Sequence, residues 1–221
     1  MTYPLTVVAP GLLPRREHPP ATQGEVVVWG LLGSYPFGGM TWQVLHHLEG
    51  LRRLGFDVWY VEDSDEPVYD VTSWWQTYDV PEHNLRYLQD AMAAIGMADR
   101  WVFRHPRSER CSGALDASGL RRLYARSRAV FNVCGSHSPR EQHDDISNLV
   151  YLETDPVWSQ VSLAQGDADL TAVVQRHDVL FTYGAKANNK NTSNPKTGIK
   201  LHAASGKVSA QAQSGPLKIT A

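Results

Sequence analysis

The chain has 221 residues, a formal net charge of −2 and two cysteines. This length suits one sizeable domain with a short appendage, and the near-neutral charge argues against a nucleic-acid-binding protein that relies on a basic surface. Cys111 and Cys134 match no paired zinc spacing and form no disulfide framework, which favours a reducing compartment and most simply the cytoplasm. No apolar run has the length of a membrane span, so we expect none.

The first 24 residues do not have the pattern of a secretory signal peptide. Their apolar stretch, residues 5–13, precedes Arg15 and Arg16, whereas a signal peptide carries its positive charge before the apolar region. We therefore predict a disordered lead-in over residues 1–24.

A strand-like run at residues 26–29 is followed by a glycine-rich loop at 30–39 and a helix-like run at 40–54. This order predicts a strand, a tight loop and a helix N-terminus, where backbone N–H groups can hold an anion or the polar edge of a ligand. A packing loop is the alternative, because the glycine spacing is not the dinucleotide-binding fingerprint.

The same alternation continues along the chain. Helical periodicity predicts a helix opened by a capping box of Asp79 and Glu82, and further helices near 120–124, over 157–164 and over 170–175. Apolar runs predict strands at 56–61, 101–103, 129–133, 149–152 and 179–183. Continuous apolar strands between helices indicate a Rossmann-like α/β domain over residues 25–184, with a parallel sheet covered by helices on both faces.

Ligands of such sheets bind beyond the carboxyl ends of the strands. That rule places residues 33–39, 62–63, 134–137 and 153–155 on one rim. The predicted substrate-binding residues are Gly33, Ser34, Tyr35, Gly38, Gly39, Glu62 and Asp63.

Two residues on this rim are candidates for catalysis. His137 could act as a general base, because imidazole titrates near neutral pH, and a surface loop histidine is the alternative. Asp155 could orient a base or hold a sugar hydroxyl, although capping the helix that begins at Pro156 is a sufficient explanation. Residues 143–145 have metal-ligand side chains but no supporting partner pattern, so we predict no metal site.

Trp74, Trp75 and Tyr78 lie in a loop-like segment. Aromatic faces exposed in a loop can hold a sugar or another flat acceptor, because they offer contact area at little entropy cost. Anchoring in the core is the alternative.

The composition changes near Gly184, after which the chain contains no aromatic residue. The change predicts a linker over residues 185–196 and a separate tail over residues 197–221. In the tail, apolar residues alternate between two Ser-Gly turns, a pattern typical of a β-solenoid or meander. So few repeats cannot bury a core, so we expect a loosely held tail that is disordered, docks weakly on the domain or self-associates.

Three segments, GSYPFGGMTWQ (33–43), GLRRLGFDV (50–58) and TDP (154–156), resemble the N-terminal half of bacterial glycosyltransferases of the two-Rossmann, GT-B type. The resemblance implies that residues 25–184 take a small-molecule or glycan acceptor, while a second domain would bind the nucleotide-sugar donor. Many relatives carry a basic His in the loop after the first strand. This loop has none, which leaves His137 and the carboxylates as substitutes.

The tail, with GIKLHAASGKV (198–208) and QSGPLKI (213–219), resembles part of the β-helical spike of type VI secretion VgrG proteins. Together the two resemblances imply a truncated, chimeric glycosyltransferase that binds an acceptor but lacks the donor domain and independent hexosyl transfer, and that needs no cofactor besides the donor. A spike-related structural or effector fragment and a free-standing small-molecule binding module are the alternatives.

Overall fold

Strands and helices alternate along residues 18–182 and 202–203, the part of the chain that the computed structural model describes. The helices are α1 (Gly38–Arg53), α2 (Glu82–Ala94), α3 (Ala117–Arg126), α4 (Pro156–Ala164) and α5 (Ala168–Gln175). The strands are β1 (Glu25–Trp29), β2 (Asp57–Glu62), β3 (Val68–Asp70), β4 (Trp75–Thr77), β5 (Trp101–Arg104), β6 (Cys111–Gly113), β7 (Ala129–Val133), β8 (Leu149–Glu153), β9 (Val179–Thr182) and β10 (His202–Ala203).

Eight strands form one sheet in the order β10-β9-β8-β7-β1-β2-β5-β6. All neighbours pair in parallel except β6, which runs antiparallel to β5. Val26 lies opposite Val58, so the first two strands of the predicted parallel sheet are parallel neighbours. The central order β5-β2-β1-β7-β8-β9 is that of a doubly wound sheet. The predicted Rossmann-like α/β class is therefore confirmed, and the order of the strands reverses between β1 and β7.

The two faces of β1 supply two separate cores. Val26 and Val28 pack with apolar residues of α1 and α2 on one face, whereas Val27 and Trp29 pack with residues of α3 on the other. All four side chains are buried. A strand that is apolar on both faces is the signature of a covered parallel sheet, because each face needs its own helical layer.

The capping box predicted at Asp79 and Glu82 is wrong. The residue before the first turn of α2 is Pro81, whose extended backbone (φ −66°, ψ 142°) begins the helix without a side-chain cap. The backbone N–H of Asp79 instead donates to Thr77 Oγ1 at 3.1 Å, in the turn after β4. Sequence spacing suggested a cap, but Pro81 already fixes the backbone angle that starts the helix.

Two segments beyond the central domain touch it. His18 lies 2.8 Å from Glu49 of α1, and the backbone N–H of Gln23 donates to the carbonyl of Gly55, so residues 18–24 of the predicted lead-in are held against the domain. His202 and Ala203, from the predicted tail, extend the sheet beside β9. The rest of the lead-in, the linker over 185–196 and the other tail residues lie outside the described residues.

Candidate functional site

The four rim loops predicted from the sequence follow β1, β2, β7 and β8, which are contiguous parallel strands. Their carboxyl ends meet along one edge of the sheet, on both sides of the point where the strand order reverses. We call this region the carboxyl edge. Doubly wound proteins bind ligands in the crevice at such a reversal.

Glu62, at the end of β2, holds the loop that follows β1. Its carboxylate accepts hydrogen bonds from the backbone N–H of Gly33 (2.5 Å) and from both the N–H and the hydroxyl of Ser34 (2.8 and 2.6 Å). The hydroxyl of Tyr60 also donates to it at 2.7 Å. Three of the predicted binding residues therefore lie together, because Gly33 and Ser34 both donate to Glu62.

This internal carboxylate occupies the N–H groups that a phosphate would otherwise use. Burial raises the pKa of Glu62, and the donated hydrogen bonds oppose that rise by stabilising the charged form. A Cβ on Gly33 would come 3.2 Å from the Glu62 carboxylate and 3.3 Å from Leu88 and Phe103. The glycine at position 33 is thus explained by packing, the alternative that the sequence left open for this loop.

Gly38 and Gly39 differ from Gly33 in their surroundings. They are the first two residues of α1, both are exposed, and a Cβ added to either would meet nothing within 4 Å. Packing within the described chain therefore does not require glycine at these two positions. The open space lies at a helix N-terminus, where the backbone favours polar or anionic groups.

A polar cluster begins at Gln43, one helical turn after Gly39. The amide of Gln43, in α1, donates to Thr154 Oγ1 at 2.8 Å and approaches Cys134 Sγ at 3.4 Å. Cys134 is exposed, follows β7 with a left-handed backbone (φ 56°), and its thiol contacts the Thr154 hydroxyl. These contacts join the helix after β1 to the loops after β7 and β8, across the reversal of strand order.

Asp63, the residue after Glu62, is the centre of a buried ionic network. Its Oδ1 accepts from Arg104 Nε and Arg140 Nη2, and its Oδ2 lies 3.0 Å from both Tyr124 Oη and His143 Nε2. Burial raises the pKa of Asp63, but the hydrogen bond from His143 and the charges of the two arginines outweigh it and hold the pKa well below its ordinary value.

Asp65 extends this network toward solvent. It lies 2.6 Å from Arg104 Nη2 and 2.7 Å from Arg140 Nη1, and its side chain is 43% exposed. Partial burial raises its pKa, yet hydrogen bonds from the two arginines lower it to about 2. Both arginines are therefore neutralised by carboxylates of the same chain.

His137 is buried, with 1% of its surface exposed, and stacks on Trp29 with ring centroids 5.0 Å apart. Its Nε2 accepts from the backbone N–H of Asp63 at 2.7 Å, and its Nδ1 lies 2.8 Å from the hydroxyl of Ser136. Burial lowers the pKa of His137 to about 3. The ring is neutral and engaged at both nitrogens, surroundings that favour positioning of the rim over proton transfer.

Asp155 occupies the cap position before α4, as the sequence suggested, but its side chain makes no capping hydrogen bond. Its backbone N–H donates to Glu153 Oε1 at 2.7 Å, and its side chain is exposed. Among the hydrogen bonds of the described residues, none joins Asp155 to His137.

Aromatic rings lie in the loop between β1 and α1 and in the neighbouring β3–β4 hairpin. Tyr35 stacks on Tyr69 (6.3 Å between centroids, 15° between planes), and Phe37 lies 5.3 Å from the same ring. Trp74 and Trp75, in the hairpin formed by β3 and β4, are 74% and 77% exposed. Core anchoring of these two tryptophans, the alternative left open by the sequence, is wrong.

The substrate-binding set predicted from the sequence omits Gln43, Thr154, Arg104, Arg140 and His143. A signal existed for Arg104, because an arginine that ends an apolar strand run needs a buried partner, and Asp63 ends another such run. The pairing of Gln43 with Thr154 spans 111 positions and has no local signal.

Among the described residues, no three or more His, Cys, Asp or Glu side chains are grouped as a metal site would require. Within the same residues, none of the helices has the length and apolar character needed to cross a membrane. Comparison of the chain with protein-family models, curated proteins and solved structures found no match. A functional proposal therefore rests on the fold and on the contacts of the carboxyl edge.

Proposed function

We propose that this domain binds a polar, uncharged small molecule or glycan at the carboxyl edge, as the acceptor-side domain of a GT-B type glycosyltransferase does. The observation that carries the proposal is the open space over Gly38 and Gly39, beside the reversal of strand order. Glycine costs helix stability relative to alanine. Unlike Gly50 further along the same helix, Gly38 and Gly39 stand at the helix start, where the absence of side chains leaves the backbone N–H groups open to the close approach of a ligand.

The polar groups one helical turn further along α1 suit hydroxyl-bearing ligands. Gln43 and Thr154 supply an amide and a hydroxyl, which can donate and accept hydrogen bonds without charge. Phe37, the residue before α1, adds an exposed aromatic face. Apolar faces with a few placed polar groups are typical of small-molecule sites.

Binding rather than transfer is the activity that these contacts support. The N–H groups of Gly33 and Ser34 already bond to Glu62, and Arg104 and Arg140 are paired with Asp63 and Asp65. Neither these N–H groups nor these arginines therefore favour binding of the phosphates of a sugar donor. Electrostatic stabilisation of those phosphates dominates sugar transfer. With a panel of nucleotide sugars, we expect neither hydrolysis nor transfer by this chain.

The proposal is tested by filling the open space. The full chain is screened against uncharged mono- and oligosaccharides by saturation-transfer NMR, and Gly39→Leu is compared with Gly50→Leu. Gly50 is a matched control because it lies in the same helix, is exposed and also has nothing within 4 Å of an added Cβ. We expect Gly39→Leu to weaken binding about tenfold or more and Gly50→Leu to leave it unchanged. No binding by the native chain, or equal binding by both variants, would contradict the proposal.

A further inference from the structure

We propose that an exposed apolar face of α4 is the docking surface for the chain's own distal tail. The α4 face consists of Val157, Trp158 and Val161, and the distal tail is residues 204–221, which lie outside the described residues. This surface shares no residue with the proposed ligand site, so each proposal can fail without the other.

Helix α4 turns apolar side chains outward. Val157, Trp158 and Val161 are 71%, 60% and 48% exposed, and their spacing places them on one face of the helix. Ser159 is buried instead and forms a side-chain hydrogen bond with Tyr151 of β8. A helix that covers a sheet normally buries its apolar face. The α4 face is therefore an apolar surface that the described residues leave in water.

The distal tail leaves the sheet close to the start of α4. Ala203, at the end of β10, lies opposite Thr182 of β9, and Thr182 lies opposite Glu153 at the end of β8. Ala203 is therefore two strand spacings, about 10 Å, from the end of β8. Helix α4 begins three residues after that end. About ten residues of extended chain span about 33 Å, so the distal tail is long enough to lie along the α4 face.

Charge complementarity favours the distal tail as the occupant. Residues 154–175 contain three aspartates and no lysine, arginine or histidine. These aspartates flank α4 at its two ends: Asp155, Asp167 and Asp169. The distal tail has the opposite character, because it carries Lys207 and Lys218 and no acidic side chain. Its larger apolar residues stand beside these lysines: Val208, Leu217 and Ile219. Such a segment fits an apolar face with an acidic rim.

A second copy of the domain and a lipid surface fit the α4 face less well. In an isologous dimer the same patch meets itself, so the aspartates of both copies would approach one another, and like charges across an interface are costly. An anionic membrane attracts basic segments, whereas residues 154–175 contain no basic side chain. The distal tail avoids both penalties, and its attachment to β10 raises its concentration near α4.

The proposal is tested by photo-crosslinking in the full chain. The variant Trp158→p-benzoylphenylalanine is irradiated, digested with trypsin and analysed by mass spectrometry. Because Lys207 and Lys218 are the two cleavage sites of the distal tail, residues 208–218 form one peptide. We expect this peptide to be the main product joined to position 158. No product with this peptide would overturn the proposal.

A second exposed tryptophan is the matched control for the position of the probe. Trp74 is 74% exposed in the hairpin formed by β3 and β4. In the variant Trp74→p-benzoylphenylalanine, we expect the yield of products with residues 208–218 to be at least about tenfold lower than from position 158, because the tail should be concentrated at α4. Equal yields from the two positions would show nonspecific contact and overturn the proposal.

Isotope mixing separates the chain's own tail from that of another copy. Chains labelled with nitrogen-15 are mixed with unlabelled chains before irradiation. We expect each product to carry one isotope throughout, because both peptides come from the same chain. Products that combine a labelled with an unlabelled peptide would assign the α4 face to a second copy and overturn the proposal.

Charge reversal tests the acidic rim. Asp155→Lys combined with Asp169→Lys should lower the yield from position 158 about fivefold, because both side chains are exposed and would repel the lysines of the tail. Asp90→Lys combined with Asp99→Lys is the control, since both aspartates are exposed and lie outside residues 154–175. Equal yields in the two double variants would contradict charge complementarity as the basis of the contact, and the proposal with it.

Discussion

Glu62 acts on the carboxyl edge through the backbone of the neighbouring loop. Its carboxylate accepts the N–H groups of Gly33 and Ser34, as a bound phosphate would in other glycine-rich loops. A buried carboxylate is tolerated here because its oxygens receive four donated hydrogen bonds. The contacts that fix the loop therefore occupy the N–H groups of Gly33 and Ser34 that could otherwise bind an anion.

Acid should destabilise the fold through His137. Its folded-state pKa of about 3 lies below the unfolded value of about 6.5, so the unfolded chain binds an extra proton between these values. The stability that neutral His137 contributes is present above about pH 6.5 and is lost as the pH falls toward 3. His137→Gln, whose side-chain oxygen can still accept from the Asp63 N–H, should flatten this dependence by up to about 1.4 kcal/mol per pH unit.

Urea unfolding between pH 4 and pH 7 measures the difference between the native chain and His137→Gln. Burial also lowers the pKa of His177, to about 4, which adds a pH dependence of the same sign as that of His137. Burial raises the pKa of Glu62, which adds a dependence of the opposite sign. Both groups remain in the variant, so their contributions cancel in the comparison. His46→Gln, the same substitution at an exposed position of α1, is the control for the change of side chain. Equal slopes for His137→Gln and the native chain would show that His137 does not carry this dependence.

At the scale of elements, the loop after β1 and the start of α1 contain glycines of opposite kinds. Gly30, in the loop before the helix, faces Val44 and Tyr60, and a Cβ there would come 2.8 Å from Val44 Cγ2 and 3.1 Å from the Tyr60 ring. Gly38, the first residue of α1, faces open space. One glycine is thus needed for close packing of helix on strand, whereas the other lowers helix stability without a packing benefit.

We expect alanine at these two positions to have opposite effects. Gly30→Ala should destabilise the domain by about 1–3 kcal/mol, because two well-packed side chains must move. Gly38→Ala should stabilise it by up to about 1 kcal/mol, since alanine has less backbone freedom to lose in the unfolded chain. Urea unfolding followed by tryptophan fluorescence measures both, and a loss of stability in Gly38→Ala would argue for an unrecognised contact at the helix start.

Elements built from long apolar runs could be predicted from the sequence. The strands at Val26 and Val58, and the helix that contains Leu45 and Leu48, formed where periodicity placed them, because burial on a sheet face leaves a regular pattern. The short strands β3, β4 and β6 were not predicted. Each has three residues, too few for an alternation to be read.

At the scale of the whole molecule, the rim was predictable but its partners were not. The rule that parallel strands share one carboxyl edge places Glu62, Asp63 and Cys134 together. It does not say that Glu62 bonds to Gly33 while Asp63 bonds to Arg104, since neighbours at this edge follow from strand order. That order was not available from the sequence, because apolar runs of similar composition can pair in several ways.

The Asp63 network ties several parts of the molecule to one carboxylate. It joins the ends of β2 and β5 to Tyr124 of α3 and to Arg140 and His143 after β7. Removing the charge would leave two arginines with less compensation in a buried place, where an unpaired charge is costly. The segments on both sides of the strand reversal should therefore loosen together.

We expect Asp63→Asn to lower the free energy of unfolding by about 3–5 kcal/mol and to speed amide hydrogen exchange in residues 138–146. Asp65→Asn is the matched control, because Asp65 contacts the same two arginines but is 43% exposed. A pair so screened by solvent should cost at most about 1 kcal/mol when broken. Urea unfolding and exchange mass spectrometry of the full chain test both variants. Equal losses would mean that the charge balance of the arginines, rather than the buried position of Asp63, holds the carboxyl edge together.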